Sequence, residues 1–558
     1  MQRRIGTTGS CKLTRRQILQ SGAAALLMIQ RGEAASAVRE QITKTRSGRL
    51  LGRSVNGIAI YKGIPYAAST SGANRFLAPG PAPTWRGMRA ATALGPQCPQ
   101  VNRRPETDPY PEWVDASPMS EDCLCLNVWA PASAPRPTKP VMVWIHGGGY
   151  TRGSGGVPIY DGTNLARTGN VVVVSVNHRL NIFGYAHVAQ DADARFATAG
   201  NVGQLDLVAA LHWVRDNIAE FGGDPANVTL FGESGGGAKV STLLAMPAAR
   251  GLFHKAIVQS GSSLEAIPRD EADATAALVY AHFGIKLGDV AALQRVPSAE
   301  LYACHAKLTA VSVPGVPSAV RFGPVVDGHA IPSQTWIPAA PADAHDVPML
   351  IGINSDETAA FIDKALEDPI ADDAALLAKI ARYGGKRATN PAAVANLLDV
   401  YRAAMPLLSR QQLLVRITTD LGMWRNAITQ AELKHVAGGA PAYVYEFAWT
   451  TPALGGAWAL HALDVPFVFG NHHYGVSWDL HDSPAVRAAA DPAGDYLRLG
   501  EQVMSIWTSF ARSGNPSTTA LGNWPAYEPG TRATMVLDRN SRLVAGMRNS
   551  VRSAVMAL

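Results

Sequence analysis

The sequence predicts an α/β fold built on one large, mainly parallel sheet, and three observations carry that prediction. From residue 140 onward, short β-branched runs alternate with helical patterns, the sequence form of strand–helix–strand units feeding a parallel sheet. Residues 171–176 are a nearly unbroken valine run, as expected of a strand covered on both faces. A glycine-flanked serine, Gly232-Glu233-Ser234-Gly235-Gly236, stands between a strand-like and a helix-like segment.

Taken in order, residues 1–37 read as a leader. Thr14-Arg15-Arg16-Gln17-Ile18-Leu19 is a twin-arginine pattern, followed by a short apolar stretch and by small residues, Ala35-Ser36-Ala37, at cleavage spacing. The apolar stretch is too short to span a membrane, and the expected destination is the periplasm or the medium of a bacterium. Six basic residues and one acid lie in this segment, so it holds most of the formal charge of +6. Without it the chain is near neutral and keeps no basic run suited to nucleic acid.

The remainder, 38–558, is expected to fold as a single catalytic domain. A hydrophobic content of 47% with 17% charged residues suits a globular enzyme. Residues 41–65 and 75–130 are rich in turns and short strands, suiting a small antiparallel edge. Strands are expected at 141–145, 171–176, 228–231, 256–259, 349–353 and 443–447. Between 203 and 221, Leu207, Leu211, Val214, Ile218 and Phe221 share one helical face. Phe221-Gly222-Gly223-Asp224-Pro225 should end that helix, and a second helix is expected over 238–245. Residues 264–345 and 366–440 read as helical insertions over the carboxyl edge of the sheet.

The serine motif reads as a strand–turn–helix elbow that exposes a strained nucleophile. Lys239 follows closely, but the Gly-Lys-Ser/Thr of a phosphate loop is absent. His146-Gly147-Gly148-Gly149-Tyr150 closes the strand at 141–145. Glycine-rich backbone there can aim N–H donors at a tetrahedral oxyanion, from Gly148 and Gly149 together with Gly235 after the serine. A nucleophilic serine needs a base and an orienting acid, in the chain order serine, acid, histidine. Asn354-Ser355-Asp356-Glu357 supplies carboxylates at a strand end. Composition alone does not choose His461 over His472 or His473.

These stretches resemble the type-B carboxylesterase family, which includes the cholinesterases, and with it the α/β-hydrolase fold. The similarity runs from about residue 41 to about 530. It rests on Tyr61-Lys62-Gly63-Ile64-Pro65-Tyr66-Ala67, Glu121-Asp122-Cys123-Leu124, the two glycine motifs and Phe510-Ala511-Arg512-Ser513-Gly514-Asn515-Pro516. The resemblance implies a serine esterase with Ser234 as nucleophile, Glu357 as acid and His461 as base. It implies no metal or organic cofactor, a small-molecule ester as substrate, and a monomer or weak homo-oligomer. An amidase or carbamate hydrolase on the same triad is the alternative, then a non-catalytic adhesion member of the fold.

Five cysteines occur, and Cys11 leaves with the leader. Spacing does not decide between Cys123 and Cys125 as a partner for Cys98. The resemblance places a disulfide on Cys98 and Cys123, worth about 3 kcal/mol by loop entropy. Three departures from the family stand out: Gly235 replaces an alanine, Asp464 a glutamate, and Cys125 an aromatic residue. Ser260 is a candidate for a hydrogen bond near the histidine, Glu233 for a buried structural carboxylate, and 314–317 with Trp458 for pocket lining.

Overall fold

A computed structural model of the chain describes residues 38–101, 103–104, 111–132, 138–188, 193–310, 320–362, 369–451, 458–472 and 484–558. The expected leader at 1–37, the proline stretch at 314–317 and His473 lie outside the described residues.

The chain enters by antiparallel strands β1 (Arg39–Thr45), β2 (Gly48–Val55) and β3 (Ile58–Pro65), with β4 (Met88–Ala90) beside β2 and β5 (Cys125–Pro131) beside β3. The centre follows in β6 (Lys139–Ile145), β7 (Val172–Val176), β8 (Gly223–Glu233), β9 (Lys255–Gln259), β10 (Met349–Asn354), β11 (Ala442–Phe447) and β12 (Thr534–Leu537). Across the sheet the order is β1-β2-β3-β5-β7-β6-β8-β9-β10-β11-β12, closed by antiparallel β13 (Arg542–Val544). Every neighbouring pair from β7 to β12 is parallel.

Burial separates centre from edge. All residues of β6, β7, β9, β10 and β11 are buried, whereas β1 alternates and exposes one face. Continuous burial requires helices on both faces. One is α1 (Val202–Asn217), continued by a 3-10 turn (Ile218–Phe221), and together they bury the whole expected apolar face, Leu207, Leu211, Val214, Ile218 and Phe221. Gly222, at φ 80°, ends that helical segment in the left-handed conformation. The nucleophile motif leads into α2 (Gly235–Leu243). The long α9 (Asp495–Ser513), which sequence periodicity did not single out, closes one face. There Trp507 donates to Gln259 Oε1 at 3.1 Å. This is the α/β-hydrolase fold.

Two expectations about boundaries are corrected. Strand β8 begins at Gly223, inside the expected Gly-Asp-Pro stop, because its first residue pairs with Lys139 ahead of a break in register. Helix α2 begins three residues before the expected 238. Its glycines, weak helix formers, are held helical by the strand and loop packed on them.

The insertions also divide their work. The first carries α3 (Arg269–His282) and α4 (Ser298–Thr309), and α4 reaches the cleft above the sheet. The second carries α5 (Asp373–Tyr383), α6 (Pro391–Ala404), α7 (Arg410–Thr419) and α8 (Arg425–Ala437). Among the described residues it contributes nothing to that cleft. It packs instead against β10 and β11 and encloses a charge network.

In that network Arg416 lies 3.4 Å from Asp356 and 3.6 Å from Glu446, while Arg548 lies 2.8 Å from both Glu446 and Asp420. Asp420 sits in a π turn between α7 and α8 and accepts from the Tyr401 hydroxyl at 2.5 Å. Asp356 also accepts from the Ala459 N–H at 3.0 Å, so the network clamps the turn just before Glu357 to the segment just before His461. Arg548→Met would leave two buried carboxylates without their shared cation. Its expected cost is about 3–5 kcal/mol, read by urea unfolding, and a loss within error of zero would mean that the network is not a structural support.

Candidate active site

Strands β6 and β8 run parallel with Ile145 opposite Gly232, so the segments leaving their carboxyl ends lie side by side. From β8 the chain turns through Ser234 at φ 54° and ψ −121° directly into α2. A non-glycine residue with positive φ is strained. It is held here by the Ser234 N–H donating to Gln259 O at 2.9 Å and by the Ala238 N–H donating to Ser234 O at 3.0 Å. Gly236 is required by contact: a Cβ there would stand 1.9 Å from Ile145 O.

From β6 the chain enters the loop His146-Gly147-Gly148-Gly149. Gly148 has φ 89°, and a Cβ on it would meet Arg152 O at 2.4 Å, so the loop depends on glycine. Gly147, Gly148 and Gly149 line one cleft of about 660 Å³ together with Ser234, Glu233 and His461. Tyr302, His305 and Thr309 of the first insertion close it on one side, and Phe361 on another.

The third wall comes from β10. Glu357 opens a short turn after that strand and is fully buried. Its Oε1 accepts from the Asn354 N–H at 2.8 Å, and its Oε2 bonds His461 Nδ1 at 2.5 Å. The His461 ring lies against Phe361 at 4.9 Å. The structure therefore gathers Ser234, His461 with its partner Glu357, and the glycine loop in one place, although more than 300 residues of chain separate the ends of this group.

Glu233 is closer to the chemistry than a purely structural carboxylate would be. Its Oε1 lies 3.1 Å from His461 Nε2. Burial pushes the Glu233 carboxyl up to about 8. Burial alone would lower His461, but the carboxylates of Glu233 and Glu357 outweigh it and carry the imidazole up to about 9. At this separation the two groups titrate as a coupled pair.

Other sequence candidates fall outside the cleft. Asp464 is buried and accepts from Gln259 at 2.7 Å and from the Tyr445 hydroxyl at 3.1 Å, so the shorter side chain is anchored to the sheet. Ser260 Oγ is buried with no hydrogen-bond partner among the described residues. The expected bond toward the histidine is thus not formed. Trp458 is buried and absent from the cleft lining, correcting that expectation.

Cys98 and Cys123 are free thiols in mutual hydrogen-bond contact, not a disulfide, in this structure. That contact, with burial, raises the Cys123 thiol well above its usual range. Cys125 faces Asn177 instead. Among the described residues no group of three or more His, Cys, Asp or Glu side chains is placed to hold a metal ion, and no helix is long and apolar enough to cross a membrane. The residue that sequence reasoning set aside is Lys239, fully buried beneath the glycine loop. Its only sequence signal is a lysine five positions after the serine.

Residues 39–556 match the model of the Carboxylesterase family. The chain is 37% identical over 498 residues to para-nitrobenzyl esterase of Bacillus subtilis, covering 89% of this chain and 95% of that protein. It is 32% identical to liver carboxylesterase of Sus scrofa, covering 87% and 88% respectively. A solved PNB esterase structure superposes with a TM-score of 0.77 at 36% identity, covering 93% of this chain and 99% of that one.

Glu233→Gln tests the electrostatic coupling. An anionic Glu233 stabilises the imidazolium, so its removal lowers the His461 pKa and frees the base at lower pH. The acid limb of the kcat/KM profile is expected to move to lower pH. An unmoved limb would show that Glu233 does not bear on the histidine.

Proposed function

The chain belongs to the carboxylesterase family and is a carboxylic-ester hydrolase, and from that premise we propose that it works by two-step acyl transfer through a Ser234–His461–Glu357 triad. The observation that carries this reading is the 2.5 Å bond from His461 Nδ1 to the buried Glu357, made in the same cleft as Ser234 and the glycine loop. Such a bond fixes the imidazole tautomer and leaves Nε2, which lies beside Glu233, as the basic nitrogen.

His461 Nε2 takes the Ser234 proton as Oγ attacks the ester carbonyl. The N–H groups of Gly148, Gly149 and Gly235 hold the oxyanion that forms. His461 then returns the proton to the leaving alcohol, which departs and leaves an acyl-Ser234. Water, deprotonated by the same imidazole, releases the acid. The strained φ of Ser234 supports this assignment, because it lifts Oγ from the sheet into the cleft. Small-molecule esters suit a cleft of this size, and the named activities of the relatives point the same way.

The segment 1–37 is read as an export leader. On that reading the mature chain works in an oxidising compartment, where Cys98 and Cys123 join as a disulfide.

The triad is tested with short- and medium-chain p-nitrophenyl esters. Ser234→Ala and His461→Ala are expected to lower kcat by a factor on the order of 10⁴ or more without unfolding the protein, and mass spectrometry should trap an acyl group on Ser234. A fully active His461→Ala would sink the assignment. Chain fractions and thiol titration test the rest. Exported protein should begin near residue 38 and, denatured without reductant, react at two of its four cysteines rather than all four.

A further inference from the structure

Lys239 lies on α2, facing back under the glycine loop, and its side chain is fully buried. Its Nζ donates to Gly149 O at 2.6 Å and approaches His146 O at 3.5 Å. These carbonyls sit at the two ends of the three-glycine loop, so one ammonium brackets the peptides that carry the Gly148 and Gly149 N–H groups. The ring of Tyr150 lies 5.2 Å from the same ammonium and adds a cation–π contact.

The approach is close because Gly235 makes room. A Cβ at 235 would stand 2.2 Å from Gly149 O and 2.5 Å from Gly149 N and Cα. The loop has settled into the space an alanine would occupy. Glycine loops have no side chains to fix their peptide planes, so something else must hold the donors at a fixed position. Burying an ammonium is costly unless it is well bonded, and burial lowers the Lys239 amine to about 7, opposed by the nearby Glu233.

From this geometry we infer that Lys239 is a positioning residue that fixes the oxyanion loop by holding its carbonyls from beneath, acting through the loop without touching substrate. The inference rests on the serine-esterase reading above. Preorganised donors stabilise the transition state more than the bound ester, so loss of the clamp reduces turnover and spares ground-state binding.

The test compares wild type, Ser234→Ala and Lys239→Met on a p-nitrophenyl ester, alongside inhibition by a trifluoromethyl ketone. The Ser234 hydroxyl adds to the ketone carbonyl, passing its proton to His461, and the resulting oxyanion faces the loop. Lys239→Met is expected to lose on the order of ten- to hundredfold in kcat with KM changed less than about threefold, and to lose ketone affinity in parallel. Lys239→Gln, which keeps an N–H donor, should recover part of both. If Lys239→Met does not fold, Lys239→Leu replaces it in the same comparison. A folded Met or Leu variant with wild-type kcat and ketone affinity overturns the inference, as does a loss confined to thermal stability. An inactive wild type would instead overturn the esterase reading, so the two failures are distinguishable.

Discussion

The parallel pairing of β6 with β8, with Ile145 level with Gly232, is the constraint on which the cleft depends. It makes two chain segments leave the sheet at one height, separated by little more than a backbone's thickness. One carries Ser234 and the other the glycine loop. The distance is so short that a single methyl at Gly236 would collide with Ile145 O. Strained serine, unbranched elbow and glycine loop are therefore one solution to one packing problem, because each would be displaced if another carried a side chain there.

Around that contact the charged side chains are buried and interdepend. Glu357 is satisfied by a backbone N–H and by His461, and it is held in place by the turn that Asp356, Arg416 and Arg548 tie to the rest of the fold. Glu233 stands on the opposite side of the same imidazole, so two carboxylates compete for one ring. Low dielectric strengthens both interactions and makes any unpaired member expensive. Lys239 adds the only lysine ammonium fully buried close to the loop among the described residues. The titration of the Glu233–His461 pair thus reflects the whole cluster rather than one residue.

The helical insertions show how topology shapes the cleft. The first places Tyr302, His305 and Thr309 on the cleft wall. The second, which is the more helical among the described residues, spends its apolar surface against β10 and β11 and around a π turn that aims Asp420 at Arg548. The cleft wall is therefore shared by the first insertion, by Gln97, Gln100, Trp113 and Met119 of the edge region, and by the turn ending at Phe361.

The sequence determined the fold class, the centre of the sheet, the elbow, the glycine loop and, by resemblance, the carboxylate and histidine that the structure joins as Glu357 and His461. Those features are local: β-branched runs, a 3.6-residue apolar face and glycines at points of contact leave marks a few residues long. Tertiary structure alone decided that β8 starts at Gly223, that α2 begins immediately after Ser234, that Ser260 Oγ is left without a hydrogen-bond partner among the described residues, and that Trp458 is absent from the cleft lining. It alone brought Glu233 to His461 and Lys239 to Gly149 O. Those contacts depend on how side chains from distant segments meet in a buried space, and that geometry is fixed by strand register and close packing rather than by any neighbour in the chain.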